Sequence, residues 1–300
     1  MRIGIVLLPQ QRWSEASALW QGAEAAGFDH AWTYDHLAWR TLADEPWFAT
    51  VPLLAAAAAV TSRIKLGTWV ASPNFRHPVP FAKDVMGLDD VSDGRFVLGL
   101  GSGGTGFDSD VLGPGPTPRE RAARFEEFVD VLDTLLTSPV TEHVGEHYTA
   151  HAARMIPGCV QTPRVPFVVA ANGPRALRVA ARHGQGWATY GPSFDGDGGG
   201  TQADQDAWWA GLAGLVAKFD EAAVAEGRDP STIARYLNLD GAPIFSMTSY
   251  DVVAEGVERA AALGFTDVVV HRPRAEGVYA GSTTVLYDVV SRLGELKAVG

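Results

Sequence analysis

Short runs of apolar, mostly β-branched residues alternate along this chain with longer segments whose apolar positions recur at helical spacing. Arg2–Leu8 (RIGIVLL) reads as a buried strand, and Trp13–Ala26 follows as a helix with Gly27 as its stop. The same grammar repeats in Phe28–Tyr34 with Phe48–Val60, Ile64–Val70 with Val79–Val91, and Arg95–Gly101 with Pro118–Thr137. It continues in Pro166–Ala171 with Pro174–His183, Gly186–Tyr190 with Gln205–Gly227, Leu239–Phe245 with Tyr250–Leu263, and Thr266–His271 with Gly281–Lys297. Strands that are apolar throughout, rather than alternating, suit a parallel sheet covered on both faces. Eight such units in 300 residues predict an α/β fold, a (β/α)8 TIM barrel in one domain spanning 1–300, with a doubly wound open sheet as the rival. Two insertions interrupt the pattern. After the fourth helix, Ser138–Arg164 contains VTEHVGEHYT, whose alternation around Gly145 predicts a small hairpin outside the barrel; after the sixth strand, the Gly-rich Gly191–Gln202 predicts a mobile loop.

Composition narrows the function classes. With 46% hydrophobic and 20% charged residues the chain is globular rather than disordered. Its 24 Lys and Arg against 35 Asp and Glu give a net charge of −11, and without a basic run it lacks the footprint that a nucleic-acid partner requires. The single cysteine, Cys159, can form neither an internal disulfide nor a thiolate metal cluster, so a reducing compartment, by default the cytoplasm, is expected. The longest apolar run, Val51–Val60, is too short to span a bilayer, and MRIGIVLL lacks a small-residue cleavage site. A soluble, unprocessed protein without a membrane partner is the expectation.

Several motifs invite chemistry and fail on context. Gly99, Gly101 and Gly104 in GLGSGG match a dinucleotide fingerprint, yet no helix starts at the last glycine. A strand ending in a glycine loop, where backbone passes close to a flat ligand, suits the segment better, with a plain turn as the other reading. His143, His147 and His151 stand four apart like metal ligands on a helix, but Gly145 and the strand-like alternation make a solvated hairpin the better reading, and no metal site is expected. Cys159 has no base beside it in sequence and reads as packing.

Barrel enzymes build their sites at strand C-terminal ends, and here those ends are Asp35-His36, Ala71–Asn74, Ser102–Gly104 and Asn172–Arg175. His36 alone among them carries a side chain that titrates near neutrality, which makes it the candidate general acid or base; Asp35 either orients it or faces elsewhere, and the pair also reads as a capped loop. In Asn172-Gly173-Pro174-Arg175, a proline at the first helical position leaves free N–H groups and a positive helix end, an anion site in outline. The Arg175 fork suits phosphate, although a first-turn arginine is also ordinary solvated surface. Trp13, Trp32, Trp39, Trp47, Trp69 and Trp187 either pack the core or, near strand ends, wall a pocket for a planar cofactor.

Three stretches, GAEAAGFDHAWTYDHL, TSRIKLGTWVASPNFRHPVPFAKDVMGLDDVSDGRFVLGLGSGG and PFVVAANGPRALRVAARHGQGWATYG, together resemble the bacterial luciferase-like monooxygenase superfamily, in its deazaflavin-dependent oxidoreductase branch. The resemblance implies a TIM barrel binding coenzyme F420 or, alternatively, FMN at its C-terminal mouth. Asp35 and His36 resemble the family's Asp-His pair beside the ring, and Trp69-Val70 the position of a non-prolyl cis peptide behind it. Ser72 and Asn74 resemble residues lining the cofactor, Ser102 and Gly103 the loop near its ribityl chain, and Asn172, Gly173, Pro174 and Arg175 the phosphate segment. One departure matters: where the sugar-phosphate dehydrogenase branch places an acidic Glu, this chain has Gly104, with Asp108 and Asp110 nearby. The implied activity is hydride transfer between F420 and a small organic substrate, His36 handling the proton. The alternatives are an FMN-dependent monooxygenase served by a partner reductase, and a non-catalytic flavin-binding subunit. A homodimer is expected by analogy. The polyglutamate tail of F420 favours basic residues near the mouth, for which Arg76, Arg119, Arg175, Arg272 and Arg274 are candidates, and the loops Gly191–Gln202 and Thr105–Pro116 are expected to set specificity.

Overall fold

Eight parallel strands close on themselves in a computed structural model that describes residues 1–194 and 200–299. The strands are β1 (Arg2–Val6), β2 (His30–Thr33), β3 (Lys65–Thr68) and β4 (Phe96–Leu100), then a separate pair β5 (Val140–Val144) and β6 (Thr149–Arg154), then β7 (Phe167–Ala170), β8 (Gly186–Thr189), β9 (Ala234–Asn238) and β10 (Asp267–His271). The barrel runs β1-β2-β3-β4-β7-β8-β9-β10, and β10 pairs in parallel with β1 to close it, which settles the barrel over the open sheet. Helices α1 (Trp13–Ala26), α2 (Thr50–Val60) and α3 (Pro78–Val91) follow the first three strands. A short α4 (Phe107–Asp110) and α5 (Pro118–Thr137) follow β4, and α6 (Pro174–His183), α7 (Gln202–Ala225), α8 (Tyr250–Ala262), α9 (Thr283–Ser291) and α10 (Leu293–Lys297) complete the ring.

Alternation along each strand splits the core in two. Ile3, Leu66, Leu98, Val169 and Val268 face the helices, whereas Val6, Trp32, Trp69, Val97, Tyr236 and Val269 fill the barrel interior. The rings of Trp32 and Trp69 lie 5.0 Å apart there. Gly67 makes this possible, since a Cβ on it would sit 2.3 Å from the Trp32 ring. The floor is polar but satisfied: Trp32 Nε1–H donates to His30 Nδ1 (2.6 Å), so the His30 proton sits on Nε2 and faces Asp267 Oδ1 at 3.1 Å. Arg2 adds a two-pronged pair to Asp267 at 2.7 and 2.6 Å. Burial would raise the Asp267 carboxyl, but the His30 and Arg2 hydrogen bonds outweigh it and hold it down at about 2. The barrel is thus sealed at the N-terminal ends of its strands and open at the other.

The hairpin forms as expected: β5 and β6 pair antiparallel around Gly145, and Glu127 of α5 tethers the turn by accepting from the backbone N–H groups of His147 and Tyr148, each at 2.9 Å. The seventh barrel strand departs from expectation. It lies at Ala234–Asn238, not Leu239–Phe245, where Leu239–Gly241 is a tight turn begun by the Asn238 side chain accepting from Asp240 N–H at 3.0 Å. Polar Arg235 disguises the true strand, because its guanidinium reaches outward to Asp220 at 2.7 Å while Tyr236 fills the barrel. The last expected helix is broken at Arg292, whose backbone is not helical. The loop expected to be mobile lies partly outside the described residues, at 195–199; its end is taken by Thr201, which caps α7 with Asp204 and starts that helix earlier than expected.

His183, in the last turn of α6, sits 2.6 Å from Asp130 and 3.9 Å from Asp133 of α5. Burial alone would lower its imidazole, but the two carboxylates outweigh it and raise it to about 9. Because the folded value lies above the unfolded one of about 6.5, this contact stabilises fully below pH 6.5 and is lost as pH rises through about 9. Urea unfolding across that window should show stability declining in the native chain and a flatter profile in His183→Gln.

Candidate active site

The open end gathers the strand termini singled out above. Past the end of β2, Tyr34 points into the barrel, and Asp35, its neighbour, turns the other way. Both Asp35 oxygens are taken by Arg76, from Nε and Nη2 at 2.6 Å each, and the guanidinium lies 4.3 Å from the centre of the Phe81 ring. With side-chain exposures of 2% and 13%, this is a buried ion pair, and it leaves Asp35 without a hydrogen bond to the His36 ring.

Asp108 on α4 takes that place. Its Oδ1 accepts from the backbone N–H of Leu37 (2.7 Å) and Ala38 (3.3 Å), and its Oδ2 is hydrogen-bonded to His36 Nδ1. A carboxylate can only accept, so Nδ1 carries a proton and the neutral ring presents a lone pair at Nε2, which has no partner among the described residues. The peptide behind the ring is fixed as well, because Trp47 Nε1–H donates to the His36 carbonyl at 2.8 Å. The loop after β4 therefore supplies a carboxylate to the mouth, four residues beyond Gly104.

β3 ends in a cis peptide bond between Trp69 and Val70. Ala71 continues alongside β4, donating to Gly99 O and accepting from Gly101 N at 2.8 Å each. This crowding explains the glycines of β4: a Cβ on Gly99 would lie 1.9 Å from Thr68 O, and one on Gly101 2.5 Å from Val70. Ser72 is buried and accepts from Asn74 N–H at 3.4 Å, while Asn74 Nδ2 donates to Gly104 O at 3.2 Å. Gly103, at φ +74°, has no room for a side chain beside Asn74. The Ser102 hydroxyl turns back to Gly103 O at 3.4 Å.

β7 neighbours β4, so the Asn172–Arg175 segment stands beside this glycine loop. Asn172 ties two loops together, donating to Gly191 O at 2.7 Å and accepting from Thr189 Oγ1 at 2.6 Å. Gly173 caps α6 without a side chain and Pro174 opens it, leaving the N–H groups of Arg175 and Ala176 without partners among the described residues. A side chain at Gly173 or Gly104 would meet only open space. The Arg175 guanidinium is already engaged, its Nε donating to Glu126 of α5 at 2.5 Å. The N–H groups of Ser102, Gly103 and Gly104 also have no partner among the described residues, and these two sets past the ends of adjacent strands, with open space beside Gly104 and Gly173, fit a phosphate on a planar cofactor.

Of the six tryptophans singled out in the sequence, Trp39 and Trp47 surround Tyr34 at the mouth, Trp32 and Trp69 fill the barrel below, Trp187 is buried against Phe219 of α7, and Trp13 is exposed. His143 and His151 each meet a glutamate in or beside the hairpin, and among the described residues no group of three His, Cys, Asp or Glu is placed to hold a metal. Burial raises the Cys159 thiol. Among the described residues no helix is long and apolar enough to cross a membrane. Sequence reasoning missed the Arg76 and Asp108 partnerships, and it missed His271 and Tyr279 beside Tyr34. Reading the end of the eighth predicted strand as the others were read would have found His271.

Known proteins resemble this chain in sequence and in fold. An F420-dependent glucose-6-phosphate dehydrogenase of Beutenbergia cavernae is 39% identical over 168 residues, 55% of this chain and 49% of that protein. An F420-dependent hydroxymycolic acid dehydrogenase of Mycobacterium tuberculosis is 30% identical over 240 residues, 79% of this chain and 61% of that one. The chain thus spans about half to three fifths of the length of these relatives. An F420-dependent secondary alcohol dehydrogenase, solved with an F420–acetone adduct, shares the fold at a TM-score of 0.78 and 17% identity, over 100% of this chain and 98% of that one. Residues 1–240 match the luciferase-like monooxygenase family as a whole, a span that takes in the mouth from Tyr34 to Gly191, and the chain therefore belongs to that family.

Proposed function

We propose that the protein is an oxidoreductase that moves a hydride between coenzyme F420 and a small organic substrate, with His36 exchanging the proton that accompanies the hydride. The observation that carries this reading is the His36–Asp108 dyad, whose bare Nε2 stands at the mouth of the barrel. Bound there, a deazaflavin supplies a ring carbon that accepts or gives the hydride. The chain's own contribution is to bind, orient and trade protons. The N–H groups of Ser102–Gly104 and of Arg175 and Ala176 would hold the phosphate, and Trp69-Val70 would back the ring. Of the five arginines considered for the acidic tail, Arg76, Arg175 and Arg274 already pair with Asp35, Glu126 and Glu45, which leaves Arg119 and Arg272 without a carboxylate partner among the described residues. Asp35 belongs to the scaffold through Arg76, and Asp108 takes the orienting role.

Quenching of tryptophan fluorescence on titration with F420 and, separately, with FMN tests the cofactor. Micromolar F420 binding, at least about tenfold tighter than FMN, is expected, a margin of about 1.4 kcal/mol. The reverse order would move the protein to the reduced-flavin, oxygen-activating chemistry of the monooxygenases and require a reductase partner.

A further inference from the structure

Four polar side chains that the His36–Asp108 dyad does not use form one hydrogen-bonded chain where β2, β9 and β10 end. His271 closes β10, and its Nδ1 and its backbone N–H both reach Asp240 Oδ2, at 2.8 and 2.7 Å. Its Nε2 lies 2.8 Å from the Tyr34 hydroxyl, which is 2.7 Å from the Tyr279 hydroxyl. The side chains of His271 and Asp240 are 0% exposed. Asp240 Oδ1 is occupied too, accepting from Ser246 N–H at 3.0 Å.

Proton counting gives the chain a direction. Asp240 as a carboxylate can only accept, so neutral His271 carries its proton on Nδ1 and offers Nε2 as an acceptor. Tyr34 fills that acceptor with its one O–H and must therefore accept from Tyr279. Burial pushes both phenols up, Tyr279 to about 12, so neither rests as a phenolate. Tyr279 is held flat on His271 at 3.8 Å and is the only one of the three ring-bearing members that is partly exposed. The chain thus has a buried acceptor at one end, His271, and at the other Tyr279, whose hydroxyl oxygen is left with a free lone pair.

Oxidising an alcohol with a deazaflavin moves protons at two places, off the substrate oxygen and onto the reduced ring, and one histidine serves one of them. We propose that Tyr279, Tyr34 and His271 form a proton relay that takes the hydroxyl proton of an alcohol substrate and returns it in the reverse direction. The relay deepens, and rests on, the hydride-transfer reading. In the forward direction the substrate C–H bond breaks with its electron pair leaving as hydride to the deazaflavin, and the O–H electron pair becomes the second bond of the carbonyl. The hydroxyl proton passes to Tyr279, the Tyr279 proton to Tyr34 and the Tyr34 proton to His271 Nε2, leaving an imidazolium against Asp240. The His36 dyad then serves the ring.

Two measurements test this. Nitrogen-15 NMR of the histidines in the F420-loaded protein should find His271 neutral with its proton on Nδ1; a proton on Nε2 instead would leave the chain without an acceptor and overturn the relay. Single turnovers with a panel of 2-propanol, cyclohexanol and glucose 6-phosphate should show hydride transfer slowed at least about tenfold in both Tyr34→Phe and Tyr279→Phe. The proton inventory in mixed light and heavy water should straighten from bowed to linear while F420 affinity stays within about twofold. Unchanged rates in both variants overturn the relay, and tight F420 binding without turnover of any panel member overturns the alcohol assignment. Failure of the hydride-transfer reading looks different: the native protein would not bind F420, and the tautomer of His271 in the free protein would still decide the chain.

Discussion

His36→Ala is expected to slow turnover of the F420-loaded protein by roughly 10²–10⁴-fold while leaving cofactor affinity within about twofold. The asymmetry follows from the geometry. The ring is anchored through Nδ1 by a carboxylate that also holds the Leu37 and Ala38 N–H groups, so the loop keeps its shape when the imidazole is removed. What disappears is the bare Nε2, a group that matters only when a proton moves. Asp108→Asn should fall between the two, because an amide still accepts the backbone N–H groups but no longer fixes the ring's tautomer. Rapid-mixing measurement of cofactor absorbance separates the chemical step from binding. Equal rates in the native protein and His36→Ala would remove the dyad from the mechanism.

Asp35→Ala is expected to cost about 3–5 kcal/mol of stability, at the lower end of that range because Arg76 retains some exposure, while the protein that remains folded keeps most of its activity. Removing the carboxylate strands a guanidinium among Phe75, Phe81 and the base of α3, where the remaining charged group, Asp84, lies 3.8 Å away and half-exposed. Replacing both partners, as in Asp35→Ala with Arg76→Met, should recover much of the loss, because it removes the buried charge along with its partner. Guanidinium unfolding reads the outcome as a shift in midpoint at constant slope. A stable Asp35→Ala that is catalytically dead would return Asp35 to the chemistry.

These two residues also show where sequence reading works and where it stops. Local signals placed α1 and α6 at Trp13–Ala26 and Pro174–His183, because Gly27 and the Gly173-Pro174 start are written within a few residues of the ends they fix. The barrel was legible for the same reason, as a count of repeated local patterns. Partnerships across the mouth were not. Asp35 and His36 are neighbours in sequence, which left open whether Asp35 orients the ring or faces elsewhere; successive side chains leave an extended backbone on opposite sides, and Asp35 faces Arg76. The partner His36 does have comes from 72 residues away, and the one that occupies Arg175 from 49 residues away. The displaced seventh strand has a similar origin: Arg235 reads as surface until Asp220, on α7, is known to lie beside it.

One helix gathers several of these long-range ties. Along α5, Glu126 holds Arg175, Glu127 holds the hairpin turn, and Asp130 and Asp133 hold His183, with Asp133 also meeting Arg164 at 2.6 Å. Glu126 and Glu127 are consecutive, so the surface hairpin and the first turn of α6 are fastened to the same rung of the same helix. Mechanically, the hairpin is a handle. A load applied to it, by a fused partner or a surface to which it is fixed, is carried through α5 to the segment that would seat the cofactor's phosphate, although the hairpin itself stands outside the barrel.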